Sequence, residues 1–179
     1  MRKIFCLFIA LLLFSGCTDL SNTPTRRVED FMKKFQTLDN DVLTDLDSVI
    51  DDNFSLTSDQ TEKYRDIMKK HYQNLTYEIK EDVIDGDNAR VTAEITVTDF
   101  SKTLSDAEVY MNNNLTEFND ELGNYSIMKY NDYRLERLKE TKDKVKYTIY
   151  LNLTRVNDEW TLDEIDQVTY DKINGIYNY

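Results

Sequence analysis

Few side chains in this 179-residue sequence are suited to catalysis, apart from its carboxylates. His71 is the only histidine, so general acid–base chemistry would require it to act with a carboxylate. Its place on the apolar face of a predicted helix favours a partly buried structural histidine whose hydrogen bonds are satisfied. The 34 aspartates and glutamates single out no pair, because some would stand at a catalytic separation by chance. We therefore assign no catalytic residue and predict that the protein is not an enzyme.

Two acidic stretches, residues 39–52 and 82–87, are the candidates for a metal site. A calcium loop needs oxygen ligands at fixed positions and a bidentate glutamate at the last one. The first stretch has Leu43 where a ligand belongs, and the second lacks the final glutamate. The sequence also has no glycine-rich phosphate loop. We predict no metal ion and no other cofactor.

Aromatic side chains are the candidates for ligand contacts. The sequence has 12 tyrosines, of which Tyr77 and Tyr147 fall on predicted strands, and Trp160 falls on the last predicted strand. An aromatic ring with a polar end, lining a concave sheet, suits sugars, peptides or amphipathic ligands. Codon bias in an AT-rich genome would enrich tyrosine and asparagine equally well, so both explanations stay open. We take these three residues as the possible ligand-facing side chains.

The N-terminal residues have the pattern of a secretory signal. Arg2 and Lys3 precede an apolar run at residues 4–14, and two small residues and Cys17 follow. At about 1.5 Å per helical residue, the run would reach about half way across a ~30 Å hydrocarbon core. It is therefore predicted to be a cleaved signal and not a membrane span. Cys6 would be removed with it, which leaves no thiol for disulfide or redox chemistry.

Residues 13–17, LFSGC, resemble the lipobox of bacterial lipoproteins, with Phe14 as the one departure because the pattern prefers a smaller residue there. The resemblance implies that residues 1–16 are a lipoprotein signal peptide and that Cys17 becomes the first mature residue, carrying a diacylglyceryl thioether. Residues 17–23 would then form a lipidated tether, since two acyl chains give stable anchoring to a membrane. We expect a protein anchored to the outer face of the bacterial cytoplasmic membrane. An ordinary secretory signal is the alternative.

The charge of the chain limits its partners. Its 34 acidic and 22 basic residues give a formal net charge of −12, so nucleic acid is not expected to bind. Solubility is the favoured explanation for this charge, and attraction of cationic partners or ions is the alternative.

The spacing of apolar residues changes from a helical period to a strand period near residue 75. Thr23 and Pro24 suit the N-cap and first position of a helix, and two further helical segments follow, the second capped by Ser58. Apolar residues then alternate with polar ones at 75–79 and 89–97. Because odd-numbered residues are apolar in both strands, the hairpin needs a loop of odd length, predicted at 86–88.

Residues 98–144 interrupt the alternation with a predicted helical excursion. Ser105 and Glu108 fit the capping box of a helix that would continue to Gly123, and Asn131 suits the start of a second helix. Alternation resumes at 145–153, and Asn157 starts a two-residue turn that returns the chain on the same face. A short terminal helix is predicted near residues 165–176.

These elements predict a single α+β domain at residues 24–179, with N-terminal helices packed on a curved antiparallel sheet of about four strands and the helical excursion between its two hairpins. The features that carry a family resemblance are a cysteine before a short polar tether, the opening of the first helix and a tryptophan on the last hairpin: Cys17, Thr23, Pro24, Val28, Phe31 and Trp160. On these residues the chain resembles small envelope lipoproteins of Gram-positive type with a cystatin-like domain of the nuclear transport factor two-like superfamily. The resemblance implies a cone-shaped sheet around a helix.

These sequence features are compatible with three functions. The favoured one is a non-catalytic binding or interaction module of the cell envelope, with an envelope protein or ligand as partner. The alternatives are an accessory lipoprotein subunit of a membrane complex and a small enzyme in which a carboxylate and a tyrosine transfer a proton. An open concavity lined by aromatic rings would favour binding, an exposed apolar patch would favour a protein partner, and a deep pocket with a strongly shifted pKa would favour the enzyme.

Overall fold

The computed structural model describes residues 22–53 and 55–178. Within them the chain forms six α-helices and a four-stranded antiparallel sheet, which confirms the predicted α+β fold class. The elements in chain order are α1 (Pro24–Thr37), α2 (Asn40–Asn53), α3 (Ser58–Gln73), β1 (Thr76–Asp85), β2 (Asn88–Thr98), α4 (Phe100–Asn113), a 3-10 turn (Leu115–Phe118), α5 (Ile127–Glu140), β3 (Lys144–Val156), β4 (Glu159–Leu162) and α6 (Gln167–Ile173). The predicted signal peptide at 1–16, Cys17 and the tether up to residue 21 lie outside the described residues. No helix in the described part of the chain combines the length and apolar character needed to cross a membrane.

The sheet has the strand order β1-β2-β3-β4 and buries one face. β2 pairs with β3 over its whole length. As predicted, the alternating apolar residues of these central strands point into the core, where Val91 is 0% and Ile149 is 1% exposed. Helices α1 and α3 pack against β2 and bring Met32 and Met68 into the same core.

The β1–β2 hairpin aligns the apolar residues of its two strands by a β-bulge and not by the length of its turn. The prediction of a three-residue loop at 86–88 is wrong, because the turn has two residues and begins at Gly86, with φ of 59°. Such a turn alone would set odd-numbered residues of β1 opposite even-numbered residues of β2. A β-bulge at Lys80 shifts the register by one residue, so that beyond it Tyr77 and Ile79 pair with the core-facing residues of β2.

The turn between β3 and β4 is the predicted two-residue turn. Asn157 and Asp158 have φ of 51° and 65°, the left-handed values that this hairpin turn requires. Trp160 therefore lies on the core face of the sheet, and the Arg155 guanidinium covers its ring at 4.5 Å from the centroid.

The first and third helices are capped by threonines. The prediction for α1 is confirmed, since the Thr23 side chain accepts a hydrogen bond from a backbone N–H of the first turn and Pro24 follows. For α3 the predicted cap Ser58 is wrong. Thr57 caps the helix, and its backbone N–H donates to the Gln60 side chain in a full capping box.

The two helices of the excursion begin earlier than predicted. Asp99 caps α4 immediately after β2 ends, so Ser105 lies inside the helix. The helix stops at Asn113 and not at Gly123. Ser126 caps α5, which places Asn131 in the interior of that helix. Asp99 and Ser126 each stand nearer the N-terminus than the predicted cap, and each accepts a hydrogen bond from an otherwise free backbone N–H of the first turn.

Candidate anion-binding cleft

The three possible ligand-facing residues all lie on the core face of the sheet. Tyr77 and Tyr147 flank Ile95 in one row across β1, β2 and β3. Tyr147 is 1% exposed, and its hydroxyl donates to the carbonyl of Tyr177 at 2.9 Å. Trp160 is 4% exposed, whereas Tyr77 is half-buried. Tyr147 and Trp160 therefore place their rings in the core.

A different site lies where α3, α5 and the start of β3 meet. It is a cleft of about 620 Å³. Apolar side chains, each more than nine-tenths buried, form its floor: Ile67, Phe100, Leu135 and Leu138. Five lysines and two carboxylates surround this floor: Lys63, Lys70, Lys139, Lys142, Lys144, Asp66 and Glu136. The cleft thus has a surplus of positive charge in a chain whose formal net charge is −12.

Three of these lysines have no carboxylate of the described residues within salt-bridge distance: Lys70, Lys142 and Lys144. The other two are held loosely, Lys63 at 3.8 Å from Asp132 and Lys139 at 3.9 Å from Glu136. The Lys144 ammonium donates to the Thr98 hydroxyl at 3.1 Å, and burial lowers the pKa of Lys144 from its usual value. An incoming anion would therefore meet ammonium groups that do not have to break a strong ion pair first.

His71 lies at the bottom of the cleft and is 2% exposed, so it is more deeply buried than the predicted partly buried histidine. Its Nε2 is 2.7 Å from the Ile173 carbonyl oxygen, so Nε2 carries the proton and donates it. Its Nδ1 is then an acceptor, buried without a partner among the described residues. The ring stacks on Phe100 with centroids 4.9 Å apart.

Burial keeps His71 uncharged. It lowers the pKa of His71 to about 4, the hydrogen bond to Ile173 opposes this shift, and the nearby Lys144 ammonium adds to it. The cleft therefore contains a neutral imidazole beneath a cationic rim at neutral pH, and its positive charge comes from lysines alone.

Two buried amide side chains hold the start of α5, one against α3 and the other against the segment before α3. The Gln60 side-chain amide donates to the Met128 carbonyl at 2.9 Å and to the Asp132 carboxylate at 3.0 Å. The Asn131 amide donates to the Ser55 carbonyl at 3.0 Å. Gln60 is not among the residues predicted from the sequence. The Thr-x-x-Gln spacing at 57–60 is the signal that could have found it.

The chain after α6 closes the cleft from below. The Gly175 carbonyl accepts hydrogen bonds from the backbone N–H groups of Phe100 and Ser101, both at 2.9 Å. Gly175 has φ of 70°, and a Cβ there would lie 2.1 Å from the Thr98 carbonyl oxygen and 3.0 Å from His71 Cε1. Only glycine fits, because both the backbone angle and the space exclude a side chain.

A second cavity of about 370 Å³ lies between α2, α3 and α6 and is mainly apolar. Tyr64, Tyr72 and Tyr170 line it together with Asp45. The Tyr72 hydroxyl donates to Asn174 at 2.8 Å, and burial raises the pKa of Tyr72 above its usual value. Tyr72 is therefore a neutral, hydrogen-bonded phenol at neutral pH.

No protein-family model and no curated protein matches the chain. Among solved structures, the chain is similar to a protein from Bacillus subtilis, YcdA, described as a "putative lipoprotein", with 15% sequence identity and a TM-score of 0.44. The similarity covers 85% of this chain and 47% of that chain, so the chain spans about half the length of this relative. The cystatin-like, nuclear transport factor two-like assignment and the lipidation of Cys17 stay predictions.

Proposed function

We propose that the protein is a lipid-anchored, non-catalytic binding module of the cell envelope, and that its cleft between α3 and α5 binds an anionic ligand with a small apolar group. The observation that carries this proposal is the set of lysines around the cleft, of which Lys70, Lys142 and Lys144 have no carboxylate partner among the described residues. Each charge-assisted hydrogen bond to an anion contributes about 1.5–3 kcal/mol.

The apolar floor defines the second property of the ligand. Ile67, Leu135 and Leu138 expose only a small part of their side chains to the cleft. A ligand with a short alkyl or aromatic group beside its anionic group would cover this part and gain about 25 cal/mol for each Å² of apolar surface buried. A purely hydrophilic anion such as sulfate would gain only the contacts to the lysines.

The state of His71 supports a binding role over the enzymatic alternative. A general base has to reach its substrate and hold a pKa near the working pH. The Nδ1 of His71 is inaccessible to solvent, and burial lowers its pKa to about 4. The Nε2 proton is engaged by Ile173. The imidazole therefore serves the packing of the cleft floor.

The experiment compares two fluorescent probes that differ in one charged group, 1-anilinonaphthalene-8-sulfonate and the neutral N-phenyl-1-naphthylamine. We expect the sulfonate to bind more tightly, and salt to weaken its binding. The double variant Lys70→Gln, Lys142→Gln should raise the Kd of the sulfonate by about tenfold or more and leave the neutral probe unchanged.

The matched control is the double variant Lys33→Gln, Lys102→Gln, which removes the same charge from exposed sites on α1 and α4. Its Kd for the sulfonate should equal that of the wild type. An equal loss of affinity in both double variants would show a response to net charge only and would refute the cleft as the site.

The anchor is tested separately through Cys17. The full chain expressed in a bacterium grown with radiolabelled palmitate should carry the label on membranes, and Cys17→Ser should carry none. Palmitate labelling of the serine variant equal to that of the wild type would refute lipidation at Cys17.

A further inference from the structure

The far end of the helical excursion exposes a group of apolar side chains. Seven of the 14 exposed large hydrophobic residues of the described chain lie between residues 109 and 128. We name this surface the apolar tip and define it by six of them: Val109, Leu115, Leu122, Tyr125, Ile127 and Met128. Leu122 is 86% exposed, the largest exposed fraction among the six. Helix α4, the 3-10 turn and α5 contact one another, and such a concentration of exposed apolar side chains marks an interaction site more often than scattered single residues do.

The apolar tip is held rigidly. The Asp120 carboxylate accepts hydrogen bonds from the backbone N–H groups of Leu122 and Asn124, both at 2.9 Å. The Ser126 N–H donates to the Phe118 carbonyl at 2.7 Å and closes the loop. Beneath it, aromatic rings pack with centroids 5.0 to 6.4 Å apart: Tyr110, Phe118, Tyr130 and Tyr133. A partner that binds here would pay little for ordering the loop.

Acidic residues surround the apolar tip. Residues 106–129 contain five carboxylates and one lysine, and Glu117, Asp120 and Glu121 are exposed next to the apolar side chains. This charge opposes contact with an anionic lipid surface. It favours a partner whose apolar surface is surrounded by cations.

The cleft described above has this character, with an apolar floor and five lysines. The apolar tip and the cleft lie at opposite ends of α5. Ile127 and Met128 are in its first turn, whereas its residues in the cleft begin at Leu135, about 10 Å further along the helix. Because α5 is rigid, a molecule cannot place its own tip in its own cleft. The complementary surface is available only on another molecule.

We propose that the apolar tip of one molecule docks, with Leu122 leading, into the lysine-rich cleft of a second copy of this chain. The inference rests on the proposed function, because it names the acid-flanked apolar group that the cleft would accept. Each molecule keeps one free tip and one free cleft after pairing, so the contact is heterologous and adds copies head to tail. Anchoring in one membrane would raise the local concentration of copies and favour this weak contact.

Site-specific cross-linking tests the contact. The only cysteines of the chain are Cys6 and Cys17, in the predicted signal peptide and at the predicted lipidation site, so an introduced cysteine would be the only free thiol of the mature protein. Full chains with different tags, one with Thr116→Cys in the tip and one with Glu136→Cys in the cleft, are co-expressed, and their membranes are treated with a short bismaleimide. We expect a cross-linked dimer that carries both tags. With Lys33→Cys on α1 in place of Glu136→Cys, the yield should fall by about tenfold or more.

Two further variants test the head-to-tail order without a cysteine. Lys70→Glu with Lys142→Glu disables the cleft, and Leu122→Asp disables the tip. With an amine cross-linker on membranes, the wild-type chain should give a ladder of dimers, trimers and longer species. Each variant alone should give monomer. A mixture of the two should give dimers and nothing longer, because one variant supplies an intact tip and the other an intact cleft.

The outcomes separate this inference from the proposed function. Equal cross-linking of the cleft and α1 cysteines, or no ladder from the wild type, would overturn head-to-tail docking. Binding of the anilinonaphthalene sulfonate in that same case would leave the anion cleft standing. Contact of the tip with lipid would also overturn the inference, and it would be seen as membrane association of the Cys17→Ser chain that Leu122→Asp abolishes.

Discussion

The buried His71 makes the stability of the fold depend on pH between about 6.5 and 4, and most of this range lies above the pKa values of carboxylates. In the unfolded chain its pKa is about 6.5. In the folded chain burial lowers the pKa to about 4. Between these two values the unfolded chain binds a proton and the folded chain does not. The stabilisation is therefore fully present above about pH 6.5 and is lost as the pH falls towards 4.

The magnitude follows from the two pKa values. The full difference corresponds to about 3 kcal/mol of unfolding free energy, and about 2 kcal/mol of it is lost by pH 5. Urea unfolding at pH 7.5 and pH 5 measures this loss through the fluorescence of Trp160, the only tryptophan of the chain. Because His71 is also the only histidine, a single NMR resonance reports its titration in the folded state.

The matched variant is His71→Gln, whose amide can still donate to the Ile173 carbonyl but does not titrate. Carboxylates such as Glu94, whose pKa is lowered by its hydrogen bond to Lys146, lose stabilisation in acid in both proteins, so they cancel. We expect the wild type to lose about 2 kcal/mol more than the variant between pH 7.5 and pH 5. Equal losses in the two proteins, or an NMR titration of His71 near pH 6.5, would refute this account of the cleft floor.

Three substitutions and one control substitution test other contacts that shape the cleft and the core. Gly175→Ala should destabilise the protein by about 3 kcal/mol or more, because its Cβ would lie 2.1 Å from the Thr98 carbonyl oxygen. Gly123→Ala is the control and should cost about 1 kcal/mol, because its Cβ would meet nothing within 4 Å and only the positive φ of 84° is unfavourable. Thermal unfolding compares the two. Tyr147→Phe removes one buried hydrogen bond and should cost about 1 kcal/mol in urea unfolding without changing probe binding. Gln60→Ala should cost about 2–3 kcal/mol and speed hydrogen exchange in α5, because it removes the hydrogen bonds from α3 to Met128 and to the Asp132 carboxylate.

The sequence predicted the parts of this fold that depend on local spacing. Alternation located the strands, and the apolar face of β2 and β3 is the predicted one. The helix caps were less predictable, because Thr57 and Ser58, or Asp99 and Ser105, are chemically similar, and packing decides which one begins the helix.

The cleft could not be predicted from local patterns. Lys70 lies on α3 and Lys142 follows α5, about 70 residues later, and each has the pattern of an ordinary solvated lysine. Only the packing of α5 against α3 through Gln60 brings them to one cavity. The tyrosines were a clear compositional signal, but alternation along a strand does not distinguish a ring that lines an open surface from one that fills the core.

In this hairpin the bulge at Lys80, and not the length of the turn alone, decides which face the first half of β1 presents. Because Lys80 has no partner in the ladder, deleting it would leave Ile79 opposite Ala93 and Tyr77 opposite Ile95, and Tyr77 would keep its place inside. A single-residue deletion at this position is therefore expected to be tolerated, because it removes the bulge and leaves the faces of both strands unchanged.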